Sequence, residues 1–470
     1  MPTAPIASFA TASAGALLDF RQVSAFSGHS CGVTPELQAF CWGYNLQGQL
    51  GDGTRTQRLE PVAVAGGHRF RQVSAGVAHT CGVTPADRIF CWGENTRGQL
   101  GDGTRAAHLM PVRVSGALEF REVVTGTGHT CAIASDEAAY CWGDDGLGQL
   151  GIGSAGEARP TPTAVAGGLH FRHLTAGSIH TCGVTTSDRI YCWGSNAAGQ
   201  LGDGTRTNRA SAVAVASGLS FQQVAAGTGH TCGVTLEKLA YCWGDNSFGA
   251  VGDGTSGNER LSPVAVAGGF RFRQVDGGMW HTCGITASDN IKCWGRNDSG
   301  QLGNGTTATR LTPSAVAGPG LAFRQISGGA AYTCGVITDD TGYCWGGNSE
   351  GELGDGTTTR RLVPVPLGRE SSGPPPASVA VRLGTSFFTS ERNFSTDPAV
   401  DTVAVGGTVT WTWASQVIRH SVQSIRSPSF PSSELLAGRG VTYSVTFGTA
   451  GIYLYDCIRH PGMTGRIVVR

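Results

Sequence analysis

The triplet Cys-Trp-Gly recurs seven times, with its tryptophan at positions 42, 92, 142, 193, 243, 294 and 345. A spacing held at about 50 residues over seven copies makes the chain an array of like units rather than one large irregular core. The second unit reads FRQVSAGVAHTCGVTPADRIFCWGENTRGQLGDGTRAAHLMPVRV. It holds four short β-type runs, FRQVSA, HTCGVT, RIFCWG and PVRV, separated by Gly, Asn and Asp turn clusters. Four strands per unit, a tryptophan in each and seven units that can close on themselves predict a seven-bladed β-propeller. With 72 glycines and only 14% charged residues, the composition agrees with an all-β chain of short strands and tight turns.

Each unit carries two cysteines ten positions apart: Cys31 and Cys41, Cys81 and Cys91, Cys131 and Cys141, Cys182 and Cys192, Cys232 and Cys242, Cys283 and Cys293, Cys334 and Cys344. A hairpin centred between them sets the two directly opposite, at a Cα separation that suits a disulfide. Seven bridges, one per blade, are the expectation. Fourteen reduced thiols packed as small hydrophobes are the alternative. Zinc is excluded, because nine intervening residues do not match the short cysteine spacings of tetrahedral sites. A histidine precedes the first cysteine of most pairs (His29, His79, His129, His180, His230 and His281), and Tyr332 replaces it in the seventh. One such residue per blade serves the blade itself rather than a ring of metal ligands. The GDGT segments, such as Gly51 to Thr54, are Asp-Gly turns, since the ligand series of a calcium loop is missing.

The run C-W-G-x-N-x-x-G-Q-L-G-D-G-T, with H-T-C-G-V-T before it, resembles the regulator of chromosome condensation repeat family over about 350 residues. The resemblance implies a seven-bladed propeller and leaves function open, because one fold hosts exchange factors, inhibitors and scaffolds. Nucleotide exchange is not supported here: there is no basic tail, and near-constant unit length leaves no room for an inserted wedge.

Three consecutive prolines in RESSGPPPAS mark a stiff linker, placed at 369–377 between a propeller of 1–368 and a smaller domain of 378–470. The final domain holds a single cysteine. Its run Cys457-x-x-His460-x-x-Met463 sets a thiolate, an imidazole and a thioether on one tight loop between two predicted strands, and His420 ends another strand upstream. Two histidines, a cysteine and a weak axial methionine form the ligand set of a blue (type 1) copper electron-transfer centre. The strand T-V-T-W-T before His420, the approach Y-S-V-T-F-x-T-A-G-x-Y and the ending C-x-x-H-P-G-M-x-G-x-I-V-V resemble the plastocyanin, amicyanin and pseudoazurin group of cupredoxins. That resemblance implies a Greek-key β-sandwich, one copper ion on His420, Cys457, His460 and Met463, and electron entry at the exposed edge of His460. Ser421 stands where the family often has an asparagine that clasps the ligand loop, so a looser clasp is expected. A multicopper oxidase is excluded, because no His-x-His occurs among the twelve histidines.

Acidic and basic residues balance at 34 each, and Lys238 and Lys292 are the only lysines, so no basic stripe is present for nucleic acid. No apolar run of membrane-spanning length occurs. Residues 1–19 show no export signal, yet the paired cysteines point to an extracellular or periplasmic protein. No nucleophile with its base and no paired carboxylates stand out, so no enzymatic activity is assigned. Two readings remain: a redox protein whose propeller docks a partner, or an extracellular protein- or glycan-binding propeller whose copper serves storage, sensing or structure. A monomer is expected in either. The repeats disagree most at Ile179, Met279, Trp280 and Tyr332, which become the candidate partner-binding surface.

Overall fold

In the computed structural model the chain divides into two compact units, one of Leu18–Gly368 and one that takes in Arg369–Arg470. The structure describes residues 18–317, 321–367, 378–383, 388–390, 399–413, 419–425, 427–460 and 464–469. The linker expected at 369–377 and the proposed ligand Met463 lie outside them.

The first unit is seven four-stranded antiparallel sheets, each built from four strands consecutive in sequence. In the second, Gln72–Ala75, His79–Val83, Ile89–Gly93 and His108–Arg113 pair in order. The seventh blade packs on the first through one apolar cluster that joins Phe20, Val23 and Trp42 to Tyr332, Val336 and Leu353. The ring therefore closes without exchange of strands between its ends.

Within each blade the hairpin register sets the two cysteines opposite each other, Cys81 against Cys91 for example. All seven pairs are bonded, with Cα separations of 4.0 to 4.1 Å. Cys457 is the one free cysteine among the described residues. Thiol titration in denaturant without reductant is therefore expected to find one reactive thiol per chain; fifteen would refute the bridges.

The seams between blades explain the repeat. Each tryptophan of the seven Cys-Trp-Gly triplets is buried, and all of these but Trp193 donate their indole N–H to a backbone carbonyl of the preceding blade, as Trp92 does to Gln49 at 2.9 Å and Trp42 to Glu352 at 2.9 Å. The indole lies so close to the preceding Gly-Asp turn that a Cβ on Gly51 would sit 2.7 Å from Trp92, which makes glycine obligatory there.

The blade histidines are seam residues too. His29 Nε2 meets Thr80 Oγ1 at 2.9 Å, and Thr80 Oγ1 in turn donates to the Gln49 carbonyl at 2.8 Å. The threonine proton is thereby committed, so Nε2 carries the hydrogen and Nδ1 is a bare acceptor. The same link recurs from His79 to Thr130, His129 to Thr181, His180 to Thr231, His230 to Thr282 and His281 to Thr333.

At the closing seam both partners change. Tyr332 donates its hydroxyl to the His29 carbonyl at 2.7 Å and lies 2.9 Å from Ser30, the position where the sibling blades carry threonine. The longer tyrosine needs the shorter serine. Tyr332 is fully buried, which corrects the expectation that it belongs to an exposed cluster.

The GDGT turns are structural, as expected. Asp52 accepts from the Thr54 amide and hydroxyl and pairs with Arg58 at 2.7 Å. Burial works against its charge, and these hydrogen bonds outweigh it to hold the carboxyl below its usual range.

Candidate metal centre

The C-terminal unit is built from two four-stranded sheets that share one core. Gly407–Trp413 pairs with Ser378–Leu383 in parallel and with Thr442–Phe447 antiparallel. Gly451–Asp456 pairs with Thr464–Val469 and with Gln423–Ser424 in the other sheet. Alternate residues of Gly407–Trp413 are buried, the period of a half-buried strand, and they bring Val409, Trp411 and Trp413 against Tyr453, Tyr455 and Ile467.

Two stretches of chain converge at one end of this core. Cys457 follows directly on the strand Gly451–Asp456, and a tight turn, with the His460 amide donating to the Cys457 carbonyl at 3.1 Å, swings His460 back over it. His420 is held by reciprocal backbone bonds with Leu436 at 3.0 and 2.9 Å. Cys457 Sγ then lies 3.7 Å from His420 Nδ1 and 3.4 Å from His460 Nδ1, and the imidazole centres are 4.5 Å apart. All three donor atoms fall within 4.8 Å of one another. For an ion with bonds of about 2.0 Å to nitrogen and about 2.3 Å to sulfur, tetrahedral to trigonal angles need N···S separations of about 3.5 to 3.7 Å. The 3.7 Å separation meets the trigonal value, and the 3.4 Å separation lies just short of the tetrahedral one, so one ion reaches all three donors with the His460 side slightly closed.

Burial divides the three roles. His420 and Cys457 are closed off from solvent, whereas His460 is half-buried. Ser421 does more than the loose clasp expected of it. Its amide donates to Cys457 Sγ at 3.5 Å, and its hydroxyl accepts from the Ile458 amide at 3.2 Å, so one residue ties both the sulfur and the loop.

On the propeller, Ile179, Met279 and Trp280 are half-buried at blade ends. Trp280 is part of a stack that sequence reasoning missed: the Arg296 guanidinium lies 4.6 Å from the Trp280 ring and 5.1 Å from that of Phe248, and Asp298 pairs with the same arginine. The signal was available in the repeats. Phe248 stands where other blades carry Gln47, Arg97, Leu147, Ala198, Ser299 and Glu350.

Comparison with known families decides the identity of the blades. The regulator of chromosome condensation (RCC1) repeat matches residues 38–83, 86–133, 136–184, 187–234, 239–285 and 293–336, more than half of the chain. The chain belongs to the RCC1 repeat family. Among relatives, the ultraviolet-B receptor UVR8 of Arabidopsis thaliana is 28% identical over 196 residues, 41% of this chain and 44% of that receptor. The chain spans less than half the length of the curated relatives it matches first. Prp20p of Saccharomyces cerevisiae, an RCC1 protein solved with a study of its binding to Gsp1p and histones, is 19% identical, with a TM-score of 0.64 over 72% of this chain and 88% of its own. This RCC1 chain shares that protein's fold. A reduced Cu(I) amicyanin mutant is 26% identical over 20% of this chain and 82% of its own; at a TM-score of 0.16 it decides nothing about the fold, and the side-chain geometry above stands apart from it.

Proposed function

We propose that this protein is an exported copper-binding electron-transfer protein, in which a cupredoxin-type C-terminal domain carries a type 1 site and the RCC1-type propeller docks a partner. The observation that carries this reading is the convergence of Cys457 Sγ with His420 and His460 Nδ1. One thiolate and two imidazoles form a soft to borderline set, which with Met463 as a fourth, thioether donor would suit copper in both oxidation states. A bound copper ion supplies a one-electron couple.

The residues around the donors support rapid transfer. The Ser421 amide aimed at Cys457 Sγ stabilises negative charge on the sulfur, and the serine hydroxyl holds the loop so that ligand positions change little between redox states. Among the described donors, His460 alone is not fully buried, which makes it the point where a redox partner would approach. The seven disulfides support an oxidising compartment, extracellular or periplasmic. For the propeller, family membership and the protein-binding role of Prp20p support a docking scaffold.

Adding one equivalent of Cu(II) to the full chain is expected to give an intense blue colour that ascorbate bleaches and air restores. Stoichiometric but colourless binding would overturn the electron-transfer reading in favour of storage or structure. Ser421→Ala removes the acceptor of the Ile458 amide while keeping the backbone bond to sulfur. Copper release to a chelator is expected to be about tenfold faster in this variant with the colour retained, in line with typical effects of outer-shell partners. An unchanged release rate would deny Ser421 its clasping role.

A further inference from the structure

Blade six breaks the repeat at a second place, at the opposite end of its strands from Met279 and Trp280. The residue before the second cysteine is aromatic in every sibling blade, as Phe40, Phe90, Tyr140, Tyr191, Tyr241 and Tyr343, but in the sixth it is Lys292. Its packing partner changes with it. Phe270 stands where five siblings carry leucine and the second blade carries His68, and the Lys292 ammonium lies 5.1 Å from the centre of the Phe270 ring. A leucine–aromatic contact has become a cation over an aromatic face.

Lys292 lines an open groove of about 1050 Å³ whose floor is apolar, formed by Ile291, Val316, Leu321 and Phe323. Such a volume is at the upper end of small-molecule sites. Among the described residues no carboxylate pairs with Lys292. Asp289, the carboxylate of the groove, is engaged by Arg273 Nε at 2.9 Å. Arg271, also on the groove, donates to the Glu237 carbonyl, so it adds positive charge without a carboxylate of its own. The groove thus combines an apolar floor with uncompensated positive charge on its wall. A half-buried ammonium in that setting selects an anion, and the floor selects an apolar body behind it.

We propose that this groove binds a small amphipathic organic carboxylate, with its anionic head paired to Lys292 and its apolar body along the floor. One lysine beside one arginine over an apolar floor does not suit a polyanion, which needs a row of cations. The groove and the metal centre share no residue.

The test is calorimetric titration of the metal-free full chain with decanoate and with decan-1-ol at neutral pH. Wild type is expected to bind decanoate at one site about tenfold more tightly than the alcohol, the discrimination of one charge-assisted pair. Lys292→Met should bring decanoate down to the level of the alcohol. Lys292→Tyr restores the residue of the sibling blades, keeps the fold, and should lose both ligands by occupying the groove. Equal affinity for acid and alcohol in wild type, no binding of decanoate, or an unchanged affinity in Lys292→Met would each overturn the proposal. The same titration on Cys457→Ser is expected to match wild type, which keeps this outcome separate from that of the copper reading.

Discussion

Cys457→Ser is expected to abolish the blue colour of the copper-loaded protein completely while leaving its circular dichroism unchanged. The colour of such a centre comes from the bond between thiolate and copper, and a serine hydroxyl, of nearly the same size, cannot supply it. The two histidines should then behave differently from each other. His460 is half-buried, so in His460→Gly added imidazole can reach the vacated position and restore colour. His420 is fully buried, so His420→Gly should not be rescued at comparable imidazole concentrations. Absorption spectroscopy on the three variants checks this, and equal rescue of both glycine variants would contradict the assignment of an inner and an outer ligand.

Acid is expected to destabilise the propeller well above the pH at which carboxylates protonate. Burial holds His29, His79, His180 and His281 at a pKa of about 3 and His129 and His230 at about 4, against 6.5 when unfolded. Protonating Nδ1 in the folded state would place a charge on a buried atom that has no partner at His29, His79, His129, His180 and His281. Between about pH 6.5 and pH 4 the unfolded chain therefore binds more protons at these six positions than the folded one, and stability falls as pH falls, by about 1.4 kcal/mol per pH unit for each proton in excess.

Several propeller groups oppose the trend: burial raises the carboxyls of Asp19, Asp145 and Glu352 above their usual range, and two further groups contribute. Burial raises Asp276 to about 6 in the folded state. Burial alone would lower His173, but the Glu122 carboxylate at 2.7 Å and the Val224 carbonyl outweigh it, so its pKa is raised. Both groups hold their protons more firmly folded than unfolded and offset part of the loss. Urea midpoints measured from pH 7.5 to pH 4.5 with the disulfides intact should still drop steeply, with an uptake of several protons on unfolding. A flat profile across that range would contradict the neutral histidine seams.

How much of this was legible in the sequence depends on how far apart the interacting residues lie. The cysteine pairs were readable because both members belong to one hairpin, and their spacing alone fixes the register. The nearness of the proposed ligands Cys457 and His460 was readable for the same reason, since three residues of a turn bring them together. Tyr332 was misplaced because its partner, Ser30, lies at the other end of the ring and only closure joins them. The clue existed in the paired departure of Ser30 from threonine and Tyr332 from histidine, but a departure from a repeat is as consistent with a seam as with a surface until the contact is seen. Arg296 and Phe248 were missed because their stack on Trp280 joins separate loops of two blades. The seam role of the histidines was half legible: a once-per-blade residue pointed to structure, while the threonine of the following blade that it meets did not show in the spacing.

Electron paramagnetic resonance of the full chain loaded with one equivalent of Cu(II) tests the copper reading most directly. A thiolate in a trigonal two-histidine site predicts an unusually narrow parallel copper hyperfine splitting, lost in Cys457→Ser. A wide splitting of ordinary tetragonal copper in wild type, or a spectrum that the Cys457→Ser change leaves as it was, would contradict it.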